Sequence, residues 1–220
     1  MALTKFNFNS FDLTTAANKG LAFNSSANGF ETSSPGSMTL IKTIDASSDS
    51  NIQFIHGSSS VVFDSTYPVY LFKFYNLHPG TDDRVFEAAF RDGGSSFDAS
   101  VITNTFYAQH AESDSPSATL GYIAGRDFVG TGDFNLFSSG CGNANDESLV
   151  GELYVFNPSS TTFVKQFISR GISNNHNAYV VEAQIAGYAN TATAIDGVRF
   201  QFDSGNIDTG QIKLYGIKDS

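Results

Sequence analysis

Tryptophan is absent from this chain, and cysteine occurs once, at Cys141. A single thiol excludes an internal disulfide framework and any zinc site built from several cysteines. Charge is also scarce: Asp, Glu, Lys and Arg make up 15% of the 220 residues, against roughly 25% in an average globular chain. Lys and Arg number 12 against 22 acidic residues, a formal net charge of −10. Proteins that hold nucleic acid draw most of their affinity from cations placed on phosphates. With so few and scattered cations, no nucleic-acid partner is expected. No apolar run approaches the ~18 residues of a membrane-spanning helix, so no membrane partner is expected either. The opening Met-Ala-Leu-Thr-Lys-Phe-Asn-Phe has no apolar h-region; the expectation is synthesis in a cytoplasm without a signal peptide.

What is present is aromatic and β-forming. Twenty-one Phe and nine Tyr supply the bulk of a 40% hydrophobic content, too much for a disordered chain. Alternation dominates and helical periodicity is nearly absent. In Val198–Phe202, Val198, Phe200 and Phe202 share one face while Arg199, Gln201 and Asp203 take the other. Residues 211–217 then return, which reads as a closing antiparallel pair. Phe86, Ala88 and Phe90 point inward, with Glu87 and Arg91 outward. Residues 67–75 are apolar on both faces and predict a central strand covered twice. Residues 76–83 and Asp92-Gly-Gly-Ser-Ser carry hairpin chemistry, because glycine accepts the positive φ of tight turns. Residues 152–156, 163–168 and 178–186 are further strands, the first two joined by a turn at 157–161.

In all, about ten to twelve strands are expected at sandwich spacing. The fold expectation is all-β, an antiparallel, jelly-roll-like β-sandwich with a short N-terminal extension. Residues 1–40 form the extension, a strand or attachment arm, and 41–220 a single sandwich domain. A turn or two of helix near Asp12–Lys19 is the sole helical signal. Linker composition falls at residues 24–36, 125–133 and 138–148.

The chain offers little catalytic chemistry. His56, His78, His110 and His176 are each more than twenty residues from the next, without the spacing that aims two imidazoles at one metal. No G-x-S-x-G elbow occurs. Cys141, between Gly140 and Gly142, is expected to be an accessible but inert turn residue, since no base or helix N-terminus lies nearby to activate it. Asp82-Asp83, Glu112-Ser-Asp114 and Asn145-Asp-Glu147 could each lend oxygens to calcium, although solvated turns explain them as well. A glycosidase pair would need two carboxylates at working separation, which a sequence does not reveal. No catalytic residue, metal ligand or cofactor is therefore assigned, and the chain is expected not to be an enzyme. Sugars stack on rings and bond to Asn, Asp and Gln; Tyr107, Tyr122 and Tyr188, near strand ends, are the candidate glycan-facing residues.

Three stretches in a fixed order carry a resemblance. Residues 70–83, Tyr-Leu-Phe-Lys-Phe-Tyr-Asn-Leu-His-Pro-Gly-Thr-Asp-Asp, are followed by Asp92-Gly-Gly-Ser-Ser-Phe97. Next comes Gly151-Glu-Leu-Tyr-Val-Phe-Asn-Pro-Ser159. Ile195-Asp-Gly-Val-Arg-Phe-Gln-Phe-Asp-Ser-Gly-Asn-Ile207 then runs on to Ile212-Lys-Leu-Tyr-Gly-Ile217. Over about residues 60 to 217 the series resembles β-sandwich virion structural proteins of marine tailed bacteriophages. The resemblance implies a non-enzymatic module on the particle exterior, located in the virion and partnered by the major capsid protein or other virion proteins. Head decoration (a cement or knob subunit) is preferred, because no adaptor or shaft of a fibre is visible. A tail-fibre or tail-appendage module that binds a host-surface carbohydrate or receptor is the alternative. Homo-oligomerisation, as a trimer, would match shell symmetry. Phe6, Phe8, Phe11 and Leu13 are the candidate attachment residues, adding a strand to a neighbour by edge pairing, or else forming the first strand of the same sandwich.

Overall fold

The computed structural model describes residues 20–23, 26–33, 37–115 and 118–218. Phe6, Phe8, Phe11, Leu13 and the helical signal at 12–19 lie outside those residues. The chain divides into two units, Met1–Thr39 and Leu40–Ser220. The described part of the first is a hairpin of β1 (Gly20–Phe23) and β2 (Phe30–Ser33). Phe23 and Phe30 face each other across it, with ring centroids 5.0 Å apart.

The second unit is an antiparallel β-sandwich. In chain order its strands are β3 (Met38–Asp49, belonging to this unit from Leu40), β4 (Ile52–Ile55), β5 (Val69–Pro79), β6 (Phe86–Arg91), β7 (Ser100–Ala111) and β8 (Thr119–Tyr122). They continue as β9 (Val129–Thr131), β10 (Phe134–Asn135), β11 (Leu149–Phe156), β12 (Lys165–Asn175), β13 (Tyr179–Ala189), β14 (Gly197–Phe202) and β15 (Ile207–Ile217). The described strands exceed the expected dozen because β1, β2, β4 and β8–β10 are pieces of two to four residues. A nine-stranded sheet runs β3-β15-β5-β11-β12-β13-β7-β8, with β9 also on β7; a four-stranded sheet runs β10-β6-β14-β4. Among the described residues no helix is long and apolar enough to cross a membrane.

The turns at 80–85, 92–99 and 203–206 do not make hairpins, contrary to the expectation from their composition. Each carries the chain from one sheet to the other, so β14 and β15 are not partners: β14 pairs with β4 and β6, and β15 with β5. The step from β3 to β4 crosses in the same way. Among the described strands β11, β12 and β13 alone form a three-stranded meander, with in-register pairing along most of their length.

The alternation explains the core. Val198, Phe200 and Phe202 point into the space between the sheets, as do Phe86, Ala88 and Phe90. They meet Tyr70, Phe72, Phe74 and Phe167 of the large sheet. Phe200 is the centre of this cluster, with ring centroids 5.0 Å from Phe72, 5.2 Å from Phe74 and 5.9 Å from Phe86. Burying each ring stabilises the fold by about 2–3 kcal/mol, and edge-to-face pairs add to that. The central strand β5 is not covered on both faces, which corrects a second expectation. Phe72 and Phe74 are buried; on the opposite face Leu71 is buried beside Tyr154 and Tyr215 of the neighbouring strands, but Lys73 is half-buried and Tyr75 exposed. The large sheet therefore packs on one side only, and its other side is open.

Candidate functional site

The open side of the nine-stranded sheet is assembled by register. Opposite residues of antiparallel strands point to the same face. Leu71 of β5 stands beside Tyr154 of β11, which stands beside Ile168 of β12. One row along, Lys73, Glu152, Arg170, Gln184 and Phe106 line up, ending at Tyr122 on β8. A third row takes Val150 beside Ile172, then Glu182, Ala108 and Leu120. Ile168, Ile172, Val150, Val180 and Phe106 are all exposed here, and Leu120 keeps 80% of its surface in solvent. A strand with one face in water ordinarily turns polar residues to that side; here exposed aliphatic and aromatic side chains stand between the polar ones.

The charges among these rows largely cancel. Arg170 Nε donates to Glu182 Oε1 at 2.7 Å, which holds the Glu182 carboxyl below its ordinary range and raises the guanidinium. Lys73 Nζ sits 3.9 Å from Glu152, and Lys213 Nζ lies 5.0 Å from the Tyr75 ring centroid. Burial raises the Tyr154 phenol, with Glu152 adding to it. Among these rows Lys73, Lys213 and Arg170 stand against Glu152 and Glu182, with Asp127 and Asp114 at the β7–β8 edge.

Two shallow hollows open on the face, on either side of Ile172. One, of about 250 Å³, is bordered by Tyr75, Val150 and Arg170. The other, of about 470 Å³, is bordered by His110, Leu120 and Val180. A third, of about 700 Å³, lies at the β11–β12 turn between Phe156 and Phe163. The candidate tyrosines are not gathered together. Tyr122 and Tyr188 share the open face, four β7 residues apart by their partners Phe106 and Ile102. Tyr107 is on the opposite face, its ring against Gly121. Tyr122 donates its hydroxyl to Asp127, which raises its phenol pKa.

The open-face aliphatics and the Phe156–Phe163 pair are not singled out by the sequence reading. A signal was present in each case. Phe167-Ile168 and Gly171-Ile172 put apolar side chains on the outward parity of β12, and two phenylalanines bracket an uncharged turn.

Cys141 corrects another expectation, because it is buried rather than accessible. Its backbone bridges Arg84 and Asn175 as a lone rung between two segments. Burial first, then the charges of Glu147 and Asp82, push its thiol up to about 12. The flanking glycines serve packing, not flexibility. A β-carbon at Gly140 would overlap the Asp83 carboxylate, and one at Gly142 the Glu147 carboxylate. The same end of the sandwich places His176 Nδ1 2.9 Å from Asp83 and His78 Nδ1 3.6 Å from Asp208. Asp82 and Glu147 are instead turned onto the N–H groups of Asn143 and Ala144. His110 meets Asp114 at 3.0 Å, and His56 Nδ1 accepts the Phe63 N–H at 2.9 Å. Among the described residues no group of three or more His, Cys, Asp or Glu is arranged to hold a metal ion.

The carboxyl with the most altered chemistry is Glu87, on the outer side of the small sheet. It is half-buried, flanked by Asn135 of β10 and Gln201 of β14. Burial, then the charges of Asp133 and Asp203, raise it to about 7. Asp133 is a poor second member for a hydrolytic pair, since both its oxygens accept from Arg199 Nη2 at 2.7 Å. None of the three hollows reaches either carboxyl. The chain matches no family model, no curated protein and no solved structure.

Proposed function

We propose that this chain is a non-enzymatic structural protein on the exterior of a phage particle, a capsid-decoration subunit that docks through the open face of its nine-stranded sheet. The docking surface is carried by one observation. Val150, Ile168, Ile172, Val180 and Phe106 stand exposed on the consecutive strands β11, β12, β13 and β7 of one sheet, among charges that nearly cancel. Interface cores are depleted in net charge and enriched in aromatic and aliphatic side chains. Contiguous exposed apolar surface of this kind marks contact sites.

The particle itself is supported by the resemblance over residues 60–217. The acidic balance of −10 suits an outer position, away from packaged DNA. The partner is the major capsid protein or another virion protein, and a trimer would match a local threefold axis of the shell. Covering such a face gains about 25 cal/mol per Å² before the cost of association.

The test is the copy number of this chain relative to the major capsid protein in purified virions of the source phage. A stoichiometric ratio supports decoration. A small number set by tail symmetry moves the chain to an appendage, and absence from clean particles ends the structural reading.

A further inference from the structure

The hollow at the β11–β12 turn differs in chemistry from the sheet face. Two rings dominate its apolar part, with Val164 beside them: Phe156, at the end of β11, and Phe163, which is 74% exposed. An exposed phenylalanine on a turn needs a reason to be held there, and the turn supplies a mechanism. Asn157 adopts a left-handed φ of 44° and its N–H donates to the Pro68 carbonyl at 2.7 Å. Ser160 Oγ then accepts from the N–H groups of Thr162 and Phe163 at 3.2 and 3.0 Å. The backbone under Phe163 is thereby fixed although its ring is in solvent.

The lining carries no charge: beside the rings and Val164 stand Asn157, Ser159, Ser160, Thr162 and Gln166. Ser160 Oγ serves the turn, whereas the side chains of Asn157, Ser159, Thr162 and Gln166 make no hydrogen bond among the described residues. Tyr188 is the cross-strand neighbour of Gln166 on the same face and extends the aromatic surface from β13. The hollow, of about 700 Å³, falls within the ~300–1,000 Å³ range of small-molecule sites.

This combination selects a ligand class. Rings offer flat apolar surface, while free amides and hydroxyls offer both donors and acceptors. A charged ligand would find no counter-charge in the lining and would lose hydration without compensation. A purely apolar ligand would leave four polar side chains without new partners. A neutral sugar has an apolar C–H face and a rim of hydroxyls, and it satisfies both halves. We propose that the turn between β11 and β12 is a binding site for a neutral oligosaccharide. Phe163 and Phe156 form the stacking floor, Asn157 and Gln166 provide the amide contacts, and Ser160 acts as a positioning residue. The site adjoins the docking face, since Gln166 and Tyr188 lie on the same side of the sheet as Ile168, but sugar binding by the isolated chain does not depend on the proposed virion position.

The experiment uses the full chain, titrated calorimetrically and by saturation-transfer NMR against maltohexaose, cellohexaose, chitotetraose and a mannan oligosaccharide. A heparin-derived oligosaccharide is the charged comparison. Phe163→Ala and Gln166→Ala are the test variants, and Tyr122→Ala, elsewhere on the sheet, is the reference. The expected result is saturable binding of at least one neutral sugar, weakened at least tenfold by Phe163→Ala and unchanged by Tyr122→Ala. Because Phe163 is solvent-exposed, its variant should unfold at the same temperature as the parent. Binding of the heparin fragment alone, binding indifferent to Phe163→Ala, or no binding across the panel would each overturn the proposal.

Discussion

Phe137 occupies the space that a side chain at residue 171 would fill. Gly171 points into the core from β12, and a β-carbon there would overlap Phe137 Cζ and lie 3.0 Å from the Val150 carbonyl. The ring is buried and packs edge-on to Phe86 at 6.3 Å. The glycine thus lets a loop residue from outside both sheets complete the core.

Gly171→Ala should therefore destabilise the protein by about 1–3 kcal/mol through overpacking, lowering Tm by roughly 2–4 °C per kcal/mol for a chain of this size. Phe137→Leu in the same chain should return part of that loss. A thermal-denaturation cycle of the two single variants and the double checks the coupling. Strictly additive effects would mean that the two residues do not share the space.

Glu87→Gln should remove a pH dependence. The carboxyl is raised from its ordinary 4.5 to about 7, so between those values the folded state binds more protons than the unfolded one. Stability from this group is then fully present below 4.5 and is lost as pH rises to about 7. For a half-buried group the loss is on the order of 1–2 kcal/mol after solvent screening. Denaturant titrations at pH 5 and pH 8 should show the parent weakening more than Glu87→Gln between the two conditions, with the variant the more stable at pH 8.

Cys141 should be silent toward thiol reagents in the native protein. Its thiol is buried and held up to about 12, so the reactive thiolate is almost absent at pH 8. A chromogenic disulfide reagent should report no reaction until denaturant is added, and one equivalent afterwards. Rapid labelling of the folded chain would contradict the burial.

Ile168→Lys with Ile172→Lys should separate folding from docking. Both side chains are exposed, so stability should change by no more than about 0.5 kcal/mol for each. Incorporation into virions should nevertheless fall at least tenfold, read as copy number per particle. Incorporation at the parent level would move the docking surface off this face.

Strand faces were legible in the sequence because a period of two can be read residue by residue, as Val198, Phe200 and Phe202 show. Strand partners were not. A hairpin and a crossing between sheets need the same flexible turn and the same alternation on each side. The difference lies in whether the apolar faces end up side by side or opposed across the core, and distant strands decide that. Ser204-Gly205-Asn206 is a good turn in either case. Of the candidate site, the outward tyrosines at 122 and 188 were readable from their place near strand ends. The burial of Cys141 was not, because its glycines look like loop flexibility until the Asp83 and Glu147 carboxylates are seen against them. Glu87 was readable as outward-facing but not as half-buried, since its neighbours Asn135 and Gln201 come from distant parts of the chain.

The position of β15 has a consequence for how the molecule is made. It fills the slot between β3 and β5, yet a ribosome produces it after all the other described strands. Until residues 207–217 emerge, β3 and β5 each present an unpaired edge, and open edges recruit other chains. The sandwich cannot close co-translationally in stages; it must wait for its last piece and then form many long-range pairings together. Such topologies fold slowly, in milliseconds to seconds. A nascent chain stalled before Ile207 would thus be the aggregation-prone species, and residues 207–217 would act as the latch that ends that vulnerable interval.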